Sequence, residues 1–509
     1  MTNKKSWIIA VLGAFVLVGS VGLWTSRHSA LAADHADVAA LMAEAEKVPT
    51  LRANLRELTD EIGGRVPGTP AMEEAVQWGV EKFKAAGADE VHTEEFTIEH
   101  GWSEGETRLI VQTPAFGAGH PTVFSARAVS FGWGPAAKVI ASVVDVGGGS
   151  REDFARAAKL PGGIKGKAVL VHSETMKTWE DLFAEYTRTS VVIEEALQGG
   201  ASVVLVQSTR PQDLLYRHTD ADHGEIERIP IVLVAREDAE RIGRLAATRQ
   251  VSVDVSLSNK IRGPIKAANV IAEIRGSEKP DEYVVLGAHL DSWELGTGAL
   301  DNGCNAALVV EALRAIKASG MKPRRSIRFI LFSGEEEGLM GSRAYVHQHR
   351  AEMDRYVAAV NFDSGTGRVT GFSLGGRKDV ARAAAEIVTP LKGWNAAKLT
   401  TDADSGSDHM DFLLEGVPTF DASQEEANYL VNYHASSDTF DKVDFGNLQR
   451  HVAEAAVVVF RLADSPERVG PRLSRKEIEK TLQETGLDAQ MKGFGQWEAW
   501  ESGARGREK

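Results

Sequence analysis

Histidines and carboxylates recur just past apolar runs in the second half of this chain. The run Tyr283–Gly287 leads into Ala288-His289-Leu290-Asp291-Ser292-Trp293, and Asp301-Asn302-Gly303 follows. Further on come Gly334-Glu335-Glu336-Glu337-Gly338, then Asp363, then Tyr433-His434. Imidazole and carboxylate are ligands of hydrolytic zinc sites, and a pair of zinc ions activates a water for attack on a carbonyl. Cys304 is the single cysteine of the 509 residues, which excludes a thiolate zinc site and an intrachain disulfide.

Each piece also has a plainer reading. Asp291 lies two residues past His289 and projects the same way on an extended chain. Its carboxylate can take the proton of the second ring nitrogen and fix the tautomer for metal binding, or the two can form a buried pair with no metal. Asp301 is placed to bridge two cations, yet Asp is also a common helix N-cap. Glu335, Glu336 and Glu337 follow the apolar run Ile327–Phe332 and repel one another unless cations sit among them. The alternative is an acidic turn favouring the start of the next helix. The flanking glycines and the apolar strand favour the metal reading. Asp363 closes the run Val357–Phe362, and His434 precedes a loop.

These positions need a sheet that delivers them to one edge. From Ala267 onward, apolar runs at Asn269–Ile274, Tyr283–His289, Ser326–Phe332, Val357–Asp363 and Val417–Phe420 predict strands. They alternate with amphipathic helices at Asn305–Ala318, Ser342–His349, Lys378–Val388 and Asp444–Leu462. This pattern predicts an α/β fold, a mostly parallel central sheet with helices on both faces. Ligands then bind beyond the carboxyl ends of the strands. Upstream, residues 36–60 carry helical spacing, a helix is expected near Ala71–Ala86, and Val91–Ile98 alternates as a strand. Between Pro121 and Pro264 the texture changes to short β-branched runs at Val139–Val146, Ala168–Val171, Val203–Val206 and Ile229–Val234. With helices at Val191–Gly199 and Arg236–Ala246, it suggests a separate α/β module inserted into the larger domain. The expected divisions are 33–120 and 265–465 for the larger domain, 121–264 for the insert and 466–509 for a polar, partly helical tail.

The net charge of −14 argues against nucleic acid as a partner, since phosphate binding needs a clustered positive surface. The N-terminus has Lys4 and Lys5, an apolar run from Trp7 to Trp24, and Ala30-Leu31-Ala32. This is the pattern of a signal peptide over residues 1–32, cleaved near Ala32, and implies a secreted or periplasmic protein. The alternative is an uncleaved membrane anchor, since the run is just long enough to span.

Taken together and in order, these motifs resemble the zinc-dependent exopeptidase family of carboxypeptidase Q (plasma glutamate carboxypeptidase) and bacterial leucyl aminopeptidases, closest to the carboxypeptidase Q type. The likeness rests on Gly287–Trp293, Asp301-Asn302-Gly303, Gly334–Ser342, Asn361-Phe362-Asp363, Ser407-Asp408-His409 and Tyr433-His434. It implies a phosphorylase/hydrolase-like fold and two zinc ions per chain. One zinc takes His289, Asp301 and Asp363, the other Asp301, Glu336 and His434, with Asp301 bridging. It further implies Glu335 as general base, Asp291 orienting His289, Tyr433 at the oxyanion, and Ser407, Asp408 and His409 near the substrate. The insert resembles a protease-associated domain. The implied substrate is a dipeptide or short peptide with a free end, and the implied assembly a homodimer. Three other functions are weighed: a glutaminyl cyclase-like single-zinc acyltransferase, a receptor on the same fold, and a solute-binding protein. The complete ligand set with Glu335 speaks against the first two. Peptide turnover lost in Glu335→Gln would reject the third.

Overall fold

The computed structural model describes residues 38–508 apart from 116, 118 and 221–223. The expected leader and its cleavage position lie outside the described residues. Among the described residues, no helix is long and apolar enough to cross a membrane.

The larger sheet has eight strands: β1 (Glu90–Ile98), β2 (Ile265–Ile274), β3 (Lys279–His289), β4 (Arg325–Phe332), β5 (Tyr356–Asn361), β6 (Val369–Ser373), β7 (Lys398–Thr400) and β8 (Thr419–Gln424). Their spatial order is β1-β2-β4-β3-β5-β8-β6-β7. The centre, β4-β3-β5-β8, is parallel throughout. Antiparallel β1 and β2 extend one edge. At the other edge β6 runs antiparallel to β8 and parallel to β7. Neither β6 nor β7 is apparent from the apolar pattern, because both are short and carry polar residues or glycine among the apolar ones.

Alternation along the strands explains the two covered faces. Val284, Leu286 and Ala288 of β3, with Ile327, Phe329 and Leu331 of β4, join the main core. Tyr283 and Val285, with Ile330 and Phe332, join a second core on the opposite face. Helices α3 (Cys304–Ser319) and α6 (Phe445–Asp464) cover the first face together with α1 (Pro70–Ala85). Helix α3 is buried nearly all round, with Ala306, Ala307, Ala312 and Ala315 among its small residues. Helices α4 (Met340–Gln348) and α5 (His409–Leu414) cover the second face through Tyr345, Val346 and Phe412. The expected helix over Lys378–Val388 divides into a tight 3-10 turn, Lys378–Val380, and a helix, Ala381–Ile387. Residues 36–60 are likewise not one helix. Helical residues 38–45 and Leu51–Arg56 flank Pro49, which cannot donate to a continuous helical ladder.

A second eight-stranded sheet runs in the order Thr122–Ala126, Thr107–Thr113, Ser252–Leu257, Ala137–Asp145, Ala168–Val171, Val203–Gln207, Ile231–Val234, Ala128–Ser130. Helix α2 (Trp179–Gly199) packs on it through Val192, Ile193 and Ala196. The C-terminal segment packs on α5. Trp500, Ile478 and Leu482 meet Met410 and Leu414 in one cluster, and buried Arg505 pairs with Asp411 at 2.8 and 2.9 Å.

Candidate metal centre

Three neighbouring parallel strands end at the same place. β3 ends at His289, the turn after β4 carries Glu335 and Glu336, and the loop after β5 carries Asp363. Gly334 makes that turn at φ 76°, in the left-handed region that glycine enters without a steric penalty. Asp301 lies in the loop before α3, and His434 follows a short helix, Tyr429–Asn432.

The donors converge. His289 Nε2 lies 3.0 Å from Asp363 Oδ1 and 3.2 Å from Asp301 Oδ1. His434 Nε2 lies 2.8 Å from Glu336 Oε2 and 3.4 Å from Asp301 Oδ2. Asp301 thus faces both histidines, one oxygen to each. A void of about 10 Å³ opens beside Asp301, Glu336 and His434. Asp301 Oδ2 and Glu336 Oε1 are buried with no hydrogen-bond partner among the described residues. Orphaned carboxylate oxygens in a cluster that holds two imidazoles are what a cation would satisfy, so the residues present fit divalent ions with N and O ligands.

Electrostatics point the same way. Burial pulls His434 down to about 4 despite the opposing pull of Asp301, so its ring is neutral and able to act as a donor at neutral pH. Burial would also lower His289, but the carboxylates of Asp363 and Glu335 outweigh it and hold its pKa well above the usual imidazole value. Burial, above all, pushes Glu335 and Glu336 far above the usual carboxylate range. A divalent cation among these groups inverts that preference and favours the ionised acids.

Surrounding groups hold the donors in place. His289 Nδ1 meets the backbone carbonyl of Asp291 at 3.1 Å, whereas the Asp291 carboxylate is 3.7 Å away. The side chain of Asp291 instead accepts the Glu336 backbone N–H at 3.2 Å. The backbone carbonyl is the nearer acceptor, the Asp291 carboxylate stays within ion-pair distance of the ring, and its other oxygen organises the acidic turn. Ser407 donates to Asp363, and Asn361 donates to Ser407 at 3.0 Å. Asp408 and His409 are buried at the start of α5, and burial pushes Asp408 up to about 8. Tyr433 stacks on the His434 ring at 3.7 Å between centroids.

Several contributors carry no signal in the sequence pattern. Asp438 accepts the backbone N–H groups of Ala299, Leu300 and Asp301 at 3.1, 2.7 and 3.1 Å, fixing the loop that presents Asp301. Buried Arg65 donates to the carbonyls of Leu290, Thr297 and Gly298 around that loop. From the second sheet's side come the Arg217 carbonyl, which accepts from His434 Nδ1 at 2.9 Å, and Tyr186, whose hydroxyl lies 3.0 Å from that of Tyr433.

Residues 269–459, which hold all five candidate ligands, match the family described as Peptidase family M28. Over that segment the chain is similar to the M28 peptidases. The chain is 28% identical to mouse carboxypeptidase Q over 413 residues, covering 81% of this chain and 85% of that one. Human carboxypeptidase Q is 27% identical over 413 residues, covering 81% and 84%. Among solved structures, a peptidase M28 precursor from Shewanella amazonensis SB2B superposes with a TM-score of 0.76 at 25% identity, covering 86% of this chain and 98% of that one. A zinc aminopeptidase from Bacillus subtilis shares the fold of this chain, with a TM-score of 0.63 at 20% identity, covering 84% and 98%.

Proposed function

We propose that this metallopeptidase is a two-zinc exopeptidase that hydrolyses terminal bonds of dipeptides or short peptides. The observation that carries the proposal is Asp301, whose two carboxylate oxygens face His289 and His434. In this reading His289, Asp301 and Asp363 hold one zinc, and Asp301, Glu336 and His434 the other. Zinc held there supplies a Lewis acid for the peptide carbonyl and lowers the pKa of a water toward about 7.

The chain's own groups do the rest. Glu335 takes the proton of the attacking water and delivers it to the leaving amine. The Tyr433 hydroxyl donates toward the oxygen on which charge develops. Asp291 steadies the acidic turn through the Glu336 N–H, and Ser407 steadies Asp363. Asp408 and His409 border the substrate. The names of the relatives, carboxypeptidase Q and zinc aminopeptidase, support an exopeptidase using zinc and differ on which peptide end must be free. Dipeptides blocked at either end distinguish the two.

Residues 121–264 are read as an inserted, protease-associated-like domain, and the strand Thr107–Thr113, which precedes those bounds, completes its sheet. The leader is read as cleaved near Ala32, giving a secreted or periplasmic homodimer. N-terminal sequencing of the mature protein and its mass in solution test these two points.

Two results test the central proposal together. Metal analysis is expected to find two zinc ions per chain, with activity lost on chelation. Glu335→Gln is expected to keep the zinc and lose about 10²- to 10⁴-fold in kcat. Full activity after exhaustive chelation, or in Glu335→Gln, would overturn it.

A further inference from the structure

Beside the central cluster, Asp404, His409 and Asp421 bring donor atoms within 4.8 Å of one another. His409 opens α5 with only 3% of its side chain exposed. Its ring hydrogen-bonds the Asp404 backbone, yet Nδ1 is buried without a hydrogen-bond partner among the described residues. That nitrogen lies 3.5 Å from Asp421 Oδ1, and Nε2 lies 3.8 Å from Asp404 Oδ1. These separations exceed those of an N–H···O hydrogen bond. Two ligand atoms on one tetrahedral zinc, each roughly 2.0–2.2 Å from it, sit about 3.4 Å apart. The 3.5 Å pair fits that spacing.

Asp421 is braced as metal-binding carboxylates are. Its Oδ1 accepts from Asn361 Nδ2 at 3.0 Å, and the same amide nitrogen donates to Ser407 at 3.0 Å. Ser407 in turn donates to Asp363. Asp404, 40% exposed, keeps one side of the cluster open to solvent.

We propose that Asp404, His409 and Asp421 form an accessory divalent-cation site, separate from the central cluster and joined to it through Asn361 and Ser407. One imidazole with two carboxylates suits zinc or a similar first-row ion. The competing arrangement is a protonated His409 paired to its two carboxylates with no metal.

The test compares zinc content by difference, so it does not depend on how many ions the central cluster holds. Full-length protein is stripped with chelator, titrated with zinc, and assayed for bound zinc at each free concentration. Wild type is expected to bind one zinc more than Asp404→Asn or Asp421→Asn, or to bind that ion at least tenfold more tightly. Asp404→Asn changes an exposed loop residue, so it remains informative if Asp421→Asn folds poorly. Glu336→Gln, which addresses the central reading alone, is expected to keep the ion that Asp404→Asn removes. Equal zinc binding by wild type and Asp404→Asn across the titration would overturn the proposal in favour of the protonated pair.

Discussion

The backbone carbonyl of Arg217 receives the Nδ1 proton of His434 at 2.9 Å, across more than 200 residues of sequence. That bond leaves Nε2 unprotonated and aimed at Glu336 and Asp301. The tautomer of one candidate ligand is therefore set by a segment that leads into the second sheet. The Arg217 side chain fixes the segment. It is fully buried and bonds the Ser130 carbonyl, Glu104 and, at 2.7 Å, Glu294. Arg217→Ala is expected to cost about 3–5 kcal/mol of stability, because it strips a buried charge pair of one partner. It is also expected to weaken zinc binding about 10- to 100-fold by loosening the group that orients a ligand. Thermal unfolding and a zinc titration of the same variant check both effects, and Arg217→Lys is expected to recover part of the first.

Asp438 offers a sharper probe of the loop that carries Asp301. One of its oxygens accepts from Ala299 and Leu300, the other from Asp301. Asparagine keeps a single acceptor oxygen, so in Asp438→Asn the Asp301 N–H faces an amide NH₂. Zinc affinity is expected to fall about 10- to 100-fold with little change in the far-UV circular dichroism spectrum. Unchanged affinity would show that the loop holds its shape without this contact.

The residues that end β3 and β4 were legible in the sequence for a physical reason. A buried parallel strand is an unbroken apolar run, and the first polar residues past it stand at the sheet's carboxyl edge. His289, Glu335 and Glu336 all satisfy that pattern, and the central strands and their helices follow the expected alternation. Contacts made by loops carry no such period. Nothing in the spacing of Tyr186, Arg217 or His218 indicates that they reach Tyr433 and His434. Asp438 is equally silent, since an aspartate after two serines is ordinary turn composition. At Asp291 the backbone carbonyl and the carboxylate both face His289 Nδ1, at 3.1 and 3.7 Å, and sequence alone does not rank them.

Acid stability is expected to depend on Glu94. Its carboxylate accepts from His349 at 3.0 and 3.1 Å and from His92 at 3.2 Å. Burial favours its neutral form, but the two imidazoles outweigh burial and hold it at about 2. A folded pKa below the unfolded value of 4.5 stabilises the fold above that value. The contribution is lost as pH falls from about 4.5 toward 2. Unfolding measured from pH 6 to pH 2 is expected to show a shallower acid limb in Glu94→Gln. Because this is one partly exposed cluster, the difference is expected to be about 0.5–1 kcal/mol.

Tyr186 tests whether the second sheet contributes to turnover as well as to architecture. Its hydroxyl sits 3.0 Å from the Tyr433 hydroxyl and 3.3 Å from His218 Nδ1. Burial lowers the His218 pKa well below the usual imidazole value, so that ring is neutral and can accept from Tyr186. Tyr186 can then donate to one neighbour and accept from the other, which fixes the direction in which the Tyr433 hydroxyl points. Tyr186→Phe removes one hydroxyl and no candidate ligand. Losing a hydrogen bond of about 1 kcal/mol corresponds to roughly a fivefold fall in kcat, with zinc content unchanged. The double variant Tyr186→Phe/Tyr433→Phe is expected to be no slower than Tyr433→Phe alone, because the first hydroxyl acts only through the second. Additive losses in the double variant would mean that Tyr186 touches the substrate directly.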